Sequence, residues 1–455
     1  MSTPHNTSSS NIDNRYLREL YEENLMRPEQ IDTYLKDDFR TELNIINKVS
    51  VYSSFDNKSI SGFEHIPHHR YSLLFNPITR EIRIHPTEGG LRTDHIRIET
   101  ELISYITKNK TVFENNTTHP TQLVLSWLER VKKDMGDKKL KGILIGSIWN
   151  FNFFIKRKLG GDFGQFASSV RGPSAMEQYI NHQLNLILLE QEYLQGGLLL
   201  TESEKDIFSE GGLPTQEEVS MSSDISKRIS DFKKKMCDLK EDKDLLEYIS
   251  TDYLFFNDIE NGTNEFKETI EGNRATIIDD PFISYQIIDT GCGFYLNFSW
   301  VSAEILQHAV KGISNMYDIE ELHMYGKCGS LSEKYRVGDF AYPTILFDEK
   351  GLVKFKNELW NRPQLEGAAF VSVISPLIET RKWAADMIEK GCECVEMELS
   401  SVLSSVKPET KKFIVYYVSD QPLAGHTLSS RLGLLKQRLS CSKKIINAIF
   451  EARNQ

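Results

Sequence analysis

The sequence predicts an α/β protein in two folded units, an α+β unit in the N-terminal half and an α/β unit after about Asp252. Three observations carry this. The length of 455 residues exceeds what one hydrophobic core usually organises. After Asp252, apolar runs of strand length alternate with segments of helical period, the pattern of a sheet covered by helices. Between the halves the composition shifts, with Gly211-Gly212, Pro214, several serines and a charged run from Lys227 to Lys243, as expected of a linker containing a polar helix. The resulting division is a disordered tail over 1–14, an α+β unit over 15–200, a linker over 201–250 and an α/β unit over 251–455.

The elements follow in order. Arg15 to Leu43 mixes charged and apolar residues at helical spacing, and Leu73 to Ile84 reads as two strands around a turn at Asn76-Pro77. Apolar residues at i, i+3, i+4 mark a helix from Thr121 to Val131, and Ser174 is placed to cap another from Ala175 to Gln195. In the second unit, Phe294 to Phe298 is a strand and Val301 to Ile313 a helix. Glu321 to Tyr325 is a buried strand running into a glycine turn at Gly326, and Phe370 to Ile374 is a further strand. A helix from Glu379 to Lys390 stops at Gly391, a good residue just past a helix end. Val395 leads into a helix through Val406, Phe413 to Val418 is a strand, and a long helix runs from Ser429 to Ala452. No internal repeat is apparent.

Composition narrows the function. With 40% hydrophobic and 26% charged residues the chain reads as soluble and globular. A formal net charge of −11 argues against a nucleic-acid partner, which needs a basic footprint. The polar N-terminus MSTPHNTSSSN lacks a signal-like apolar stretch, and the apolar run Gly142 to Ile155 is broken by Asn150 and Asn152, well short of the roughly 20 residues of a spanning helix. No membrane association and a cytoplasmic location are therefore expected. The six cysteines form no CxxC pair and no zinc spacing, which suits reduced thiols and no metal. Cys392 and Cys394 are expected on one face of a strand, and His65, His68 and His69, beside Pro67, in a loop.

Three segments sit at predicted strand ends, where sites in α/β sheets gather: Tyr325-Gly326-Lys327-Cys328-Gly329, Val395-Glu396-Met397-Glu398 and Tyr417-Val418-Ser419-Asp420. Each has a bland reading on its own: a tight turn, a carboxylate favourable to a helix dipole, and a turn or cap aspartate.

In this order and with these neighbours they resemble the nucleoside phosphorylase superfamily, whose members share a glycine loop at a strand end, a VEME segment and a terminal (I/V)SD. The likeness is closest to the AMP nucleosidase branch. Met324 to Asp339, MYGKCGSLSEKYRVGD, is similar to that branch's loop, and Val418 to Gly425, VSDQPLAG, to its VSDKPLxG. Arg381 and Trp383 stand where the branch has an R-x-W pair. The resemblance spans about Tyr285 to the C-terminus. It implies a nucleoside phosphorylase-like central mixed sheet flanked by helices, no cofactor, and a small purine nucleotide or nucleoside as ligand. It also implies a homo-oligomer, trimeric or hexameric by analogy.

Residue by residue, the resemblance implies that Glu398 accepts from the ribose 2′- and 3′-hydroxyls and that Met397 packs on the sugar, with Glu396 and Ser419 also lining the site. Asp420 corresponds to the general acid that protonates N7 of the leaving purine, a role that requires a raised pKa. Gly326 and Gly329 would let backbone approach the ligand, and Lys327 would contact an anion. Val373 and Ile374 would wall the base pocket, with core packing as the alternative; Arg381 is a site residue or a surface charge. Arg171, in a segment over 161–188 that also contains Pro173, Tyr179, Gln183 and Leu184, is the candidate for a 5′-phosphate.

Three departures matter. One large phosphorylase branch carries an Arg where this chain has Met324, which points to water as the nucleophile. The AMP nucleosidase branch's glycine-rich GxGxSNA turn is replaced by Asn297 to Ala303, and Leu399 follows Glu398 where relatives place a smaller residue. The expected function is N-glycosidic hydrolysis of a purine nucleotide or nucleoside, AMP favoured. The alternatives are a phosphate-dependent phosphorylase and an inactive purine-nucleotide-binding or regulatory protein.

Overall fold

A computed structural model of the chain describes residues 13–39, 43–52, 62–66, 71–86, 93–116, 120–159, 173–194, 234–250, 274–278, 280, 282–299, 301, 303–348, 351–360, 367–427 and 431–451. The first unit is built on a five-stranded sheet in the order β2-β3-β4-β1-β5, with β1 (Lys48–Tyr52), β2 (Glu64–Ile66), β3 (Tyr71–Asn76), β4 (Glu81–Pro86) and β5 (Val112–Asn116). Alternation drives it: Val49 and Val51 on β1 and Ile82 and Ile84 on β4 are fully buried. They pack with Leu20, Ile31, Leu35, Ile96 and Leu102 from α1 (Asn14–Glu22), α2 (Pro28–Phe39) and α3 (Thr93–Thr107). The expected turn at Asn76 is present, the Asn76 side chain accepting from Ile78 N at 2.9 Å and Thr79 N at 3.0 Å.

The second sheet has twelve strands. Its main path is β13-β12-β14-β15-β10-β6-β9-β8-β7, with β16 on β10 and both β11 and β17 on β16. In chain order these are β6 (Leu140–Gly146), β7 (Ala275–Ile278), β8 (Tyr285–Asp289), β9 (Phe294–Ser299), β10 (Glu321–Ser330), β11 (Phe340–Ala341), β12 (Pro343–Asp348), β13 (Gly351–Lys354), β14 (Ala368–Ser372), β15 (Cys394–Glu396), β16 (Lys411–Gln421) and β17 (His426–Thr427). Pairing is mixed. Strands β6, β9 and β16 join the sheet in parallel, whereas β15 meets β10 antiparallel.

Helices α4 (Pro120–Met135), α7 (Ala303–Met316) and α9 (Leu399–Leu403) cover one face through Trp127, Leu128, Ile305, Ala309 and Val402. On the other face α5 (Ile148–Lys158) and α10 (Arg431–Glu451) pack through Phe151, Ile155, Ile445 and Ile446. Helix α6 (Pro173–Leu194) adds a small cluster around Leu184 and Leu188, and α8 (Arg381–Glu389) precedes Gly391, whose φ of 86° suits glycine. The expected α/β class with a mixed sheet and an α+β N-terminal unit is therefore observed.

Two differences bear on the site. Strand β6, within the stretch expected to belong to the first unit, lies in the middle of the large sheet between β10 and β9. Its residues are buried in near-continuous sequence, as a central parallel strand requires, and that lack of alternation hides a strand among apolar runs. The five-stranded sheet draws its strands from 48–116 alone. Second, Gly326 and Gly329 are not in a turn, because β10 continues to Ser330, and Asp420 lies within β16, not after it.

Among the described residues no helix is long and apolar enough to cross a membrane, and no group of three His, Cys, Asp or Glu side chains could hold a metal ion. Cys392 and Cys394 are both buried.

Candidate active site

One edge of β10 is paired with β16 along its length, from Glu321 to Gly329. On the other edge, Glu321 to Met324 pair with β6, and Gly329 and Ser330 pair with β15. Between these partners the neighbouring strands part, and a crevice at such a divergence is where α/β sheets build sites. A register shift in the β10–β16 ladder between Cys328 and Gly329 sets Gly329 opposite Asp420.

Space favours glycine at position 329. An added Cβ would lie 3.0 Å from Asp420 Oδ2 and 3.0 Å from Val395 Cγ1. Asp420 is partly buried there, and burial raises its pKa, with Ser419 and Lys327 pulling the other way. Ser419 Oγ donates to Asp420 Oδ1 at 2.5 Å and is also 3.2 Å from Cys328 O. One hydroxyl proton cannot serve both acceptors at full strength. With Asp420 neutral, its own proton bridges to Ser419 Oγ and the serine proton turns to Cys328 O, so both protonation states are satisfied without moving heavy atoms.

The two VEME carboxylates have separate fates. Glu396, expected among the substrate contacts, is 3% exposed and fully committed internally. Its Oε2 accepts from Glu398 N at 2.6 Å, Leu399 N at 2.7 Å and Tyr416 OH at 3.1 Å, and its Oε1 contacts Ser372 Oγ. It caps the first turn of α9, and burial together with Glu398 pushes its pKa up to about 7. Glu398, the N-cap residue of α9, does not cap that helix with its side chain and is only partly buried.

The remaining expectations divide. Gly326 is buried, and its missing Cβ leaves room for the Tyr416 ring, so packing and not ligand approach explains the glycine. Lys327 is exposed and close enough to Asp420 to favour its charged form. Val373 is 5% exposed in a cluster with Leu331, Val371 and Ala384, the core alternative, whereas Ile374 is 44% exposed. Met397 is partly buried beside that cluster. Arg381 is exposed at the start of α8, its amide donating to Glu23 O at 2.9 Å. Arg171 lies outside the described residues.

The sequence reading missed three groups. Ser372 and Tyr416 bind Glu396, and Glu379 has a pKa pushed up to about 8 by burial and by the charge of Asp420. An acid inside the otherwise apolar SPLIE stretch was the available signal for Glu379. At β9, Asn297 is fully buried within the strand and donates to Gln286 Oε1 at 2.9 Å, so it belongs to the core and not to a turn.

A scan against family models finds no match, and a search of curated proteins finds none either. Among solved structures the chain is similar to Helicobacter pylori MTAN, at 13% identity and a TM-score of 0.32, covering 40% of this chain and 90% of that one. It is similar to a futalosine hydrolase mutant of Helicobacter pylori, at 11% identity and a TM-score of 0.32, with 40% and 90% covered. A putative methylthioadenosine nucleosidase from Weissella paramesenteroides gives 13% identity, a TM-score of 0.33, and 39% and 88% covered.

Proposed function

We propose that the chain hydrolyses the N-glycosidic bond of a purine nucleoside or nucleotide, with AMP as the favoured substrate. The observation that carries this reading is the Asp420–Ser419 pair, a carboxyl whose pKa is raised by burial and which the Ser419 hydroxyl partners in either protonation state. Glycosidic cleavage passes through an oxocarbenium-like state in which charge builds on the leaving base. A neutral carboxyl beside N7 of the purine donates its proton as that charge develops, a contribution of about 10²–10⁴-fold.

Glu398 accepts from the ribose hydroxyls, and the neighbouring Glu396 fixes the start of α9 by binding the amides of Glu398 and Leu399. Met397 packs on the sugar and Ile374 on the base. Water is the nucleophile. Met324 is wholly enclosed, its sulfur 4.0 Å from Tyr416 OH, and supplies no anion donor for phosphate.

The test is chromatography of base released from AMP, adenosine, GMP and inosine, with and without phosphate, beside Asp420→Asn. Adenine from AMP without phosphate, lost in the variant, is the expected result. A requirement for phosphate would make the chain a phosphorylase. A second reading, purine-nucleotide binding without turnover, is favoured by Asn297, which is locked into the core where the resembled branch has a glycine-rich turn. Binding of AMP with no base released would establish it.

A further inference from the structure

We infer that the N-terminal unit is a positioning device for the candidate site, with His95 and Asn24 as positioning residues that clamp the turn over 375–381. The inference rests on the glycosidase reading for what the clamp serves, though not for the clamp itself. That turn connects β14, which leads to exposed Ile374, with α8, and it contains Glu379, whose carboxyl senses Asp420.

Its polar groups are met from the first unit. Asn24 Nδ2 donates to Leu377 O at 2.9 Å, Leu25 N donates to Glu379 O at 2.8 Å, and Arg381 N donates to Glu23 O at 2.9 Å. Asn24 is 5% exposed and its own Oδ1 accepts from Met26 N at 3.0 Å, so the side chain is fixed at both ends. Leu377, fully buried, belongs to the core of the N-terminal unit. A turn with three backbone groups bonded to another unit and its central apolar side chain buried in that unit's core has little freedom of its own.

His95 closes the clamp from α3. Its Nδ1 is 2.7 Å from Ser375 Oγ, and its Nε2 is 2.7 Å from Glu99 Oε1 and 3.1 Å from Tyr34 OH. The order serine, histidine, glutamate is that of a nucleophile and its relay. Burial excludes that use, since Ser375 and Glu99 are 0% exposed and His95 2%, and Ser375 Oγ already accepts from Leu377 N at 3.1 Å. With both ring nitrogens engaged, the ring holds one orientation and fixes Ser375 at the mouth of the turn. Displacement of a site wall by about 1 Å costs on the order of 10²-fold in rate.

The experiment compares His95→Ala, His95→Asn and Ser375→Ala with the wild-type full chain by amide hydrogen exchange and by kinetics of base release from AMP. His95→Ala is expected to speed exchange over 374–381 while β10 and β16 keep their protection. It is also expected to lower kcat by about 10–10² with little change in KM, and to move the basic limb of the pH profile as Glu379 shifts against Asp420. An asparagine amide keeps a polar atom near the Nδ1 position, so His95→Asn should recover part of both effects. Should His95→Ala fail to fold, Ser375→Ala removes the same contact from the other side. Unchanged exchange over 374–381 would overturn the clamp, and faster exchange with wild-type kcat and pH profile would overturn its positioning role. If the wild-type chain released no base, the glycosidase reading would fall, and the exchange arm would still decide whether the turn is clamped.

Discussion

The strand ends of β15 and β16 and the passage from β9 to α7 differ in what they do with polar groups. Near the ends of β15 and β16, Asp420 and Glu398 are only partly buried, as is Glu379, which feels the charge of Asp420, and Gly329 leaves room beside Asp420. At β9, Asn297 is sealed in the strand against Gln286, and Phe298 is fully buried. The first region leaves carboxyls partly exposed, and the second is finished as core. On the proposed reading the first surface holds the ligand and the second does not, and mutation should expose the difference.

The largest expected effect belongs to Asp420→Asn, which should lower base release by about 10²–10⁴-fold, read by chromatography. Retained turnover would mean that the carboxyl end is no more chemical than the other. Next comes Glu398→Ala. Hydrogen bonds to a charged group are worth about 1.5–3 kcal/mol, so affinity for the nucleoside should fall roughly ten- to hundredfold in calorimetric titration.

Glu396→Gln sharpens the contrast within the segment. It keeps the shape but removes the acceptor for an N–H, and should cost about 1–3 kcal/mol in urea denaturation with ligand affinity changed less than in Glu398→Ala. Asn297→Ala at the other end should likewise cost stability, by leaving Gln286 Oε1 without its donor, and leave KM near wild type.

A pH experiment follows. Glu379 and Glu396 have folded pKa values of about 8 and about 7, above their ordinary 4.5. Between roughly pH 4.5 and 8 the folded chain therefore holds more protons than the unfolded chain, and their contribution to stability falls as pH rises through that window. Urea midpoints at pH 5, 6.5 and 8 check this, and Glu379→Gln should flatten the slope. The smallest effect is expected for Arg381→Ala, an exposed side chain, within about 0.5 kcal/mol in stability.

Much of this was legible in the sequence because it is local. The apolar run from Leu73 to Ile84 marked β3 and β4, the Asn76-Pro77 pair marked the hairpin turn between them, and the strand–helix alternation after Asp252 marked the α/β unit; β1, five residues long, was not read. Asp420, Glu398 and Gly329 were singled out as candidates through a joint motif, each being ambiguous alone. What was not legible depends on partners distant in the chain. Gly326 reads as a ligand glycine until Tyr416 is seen to fill its space, and Glu396 reads as a site residue until Ser372 and Tyr416 close around it. Glu379 gains meaning only when β16 brings Asp420 near it. Strand β6 was obscured for a related reason, since a strand buried on both faces has no period to read.

The position of β6 also has a consequence for how the chain reaches its native state. Leu140–Gly146 must find β9 and β10, which begin at Phe294 and Glu321, so the centre of the sheet is sealed only by contacts of very long sequence separation. Folds with high contact order close slowly and leave strand edges bare while they wait. A fragment covering 251–455 would carry Asp420, Glu398 and Gly329 yet lack its middle strand. It should aggregate when expressed alone, and a separately supplied peptide spanning 140–158 should rescue it.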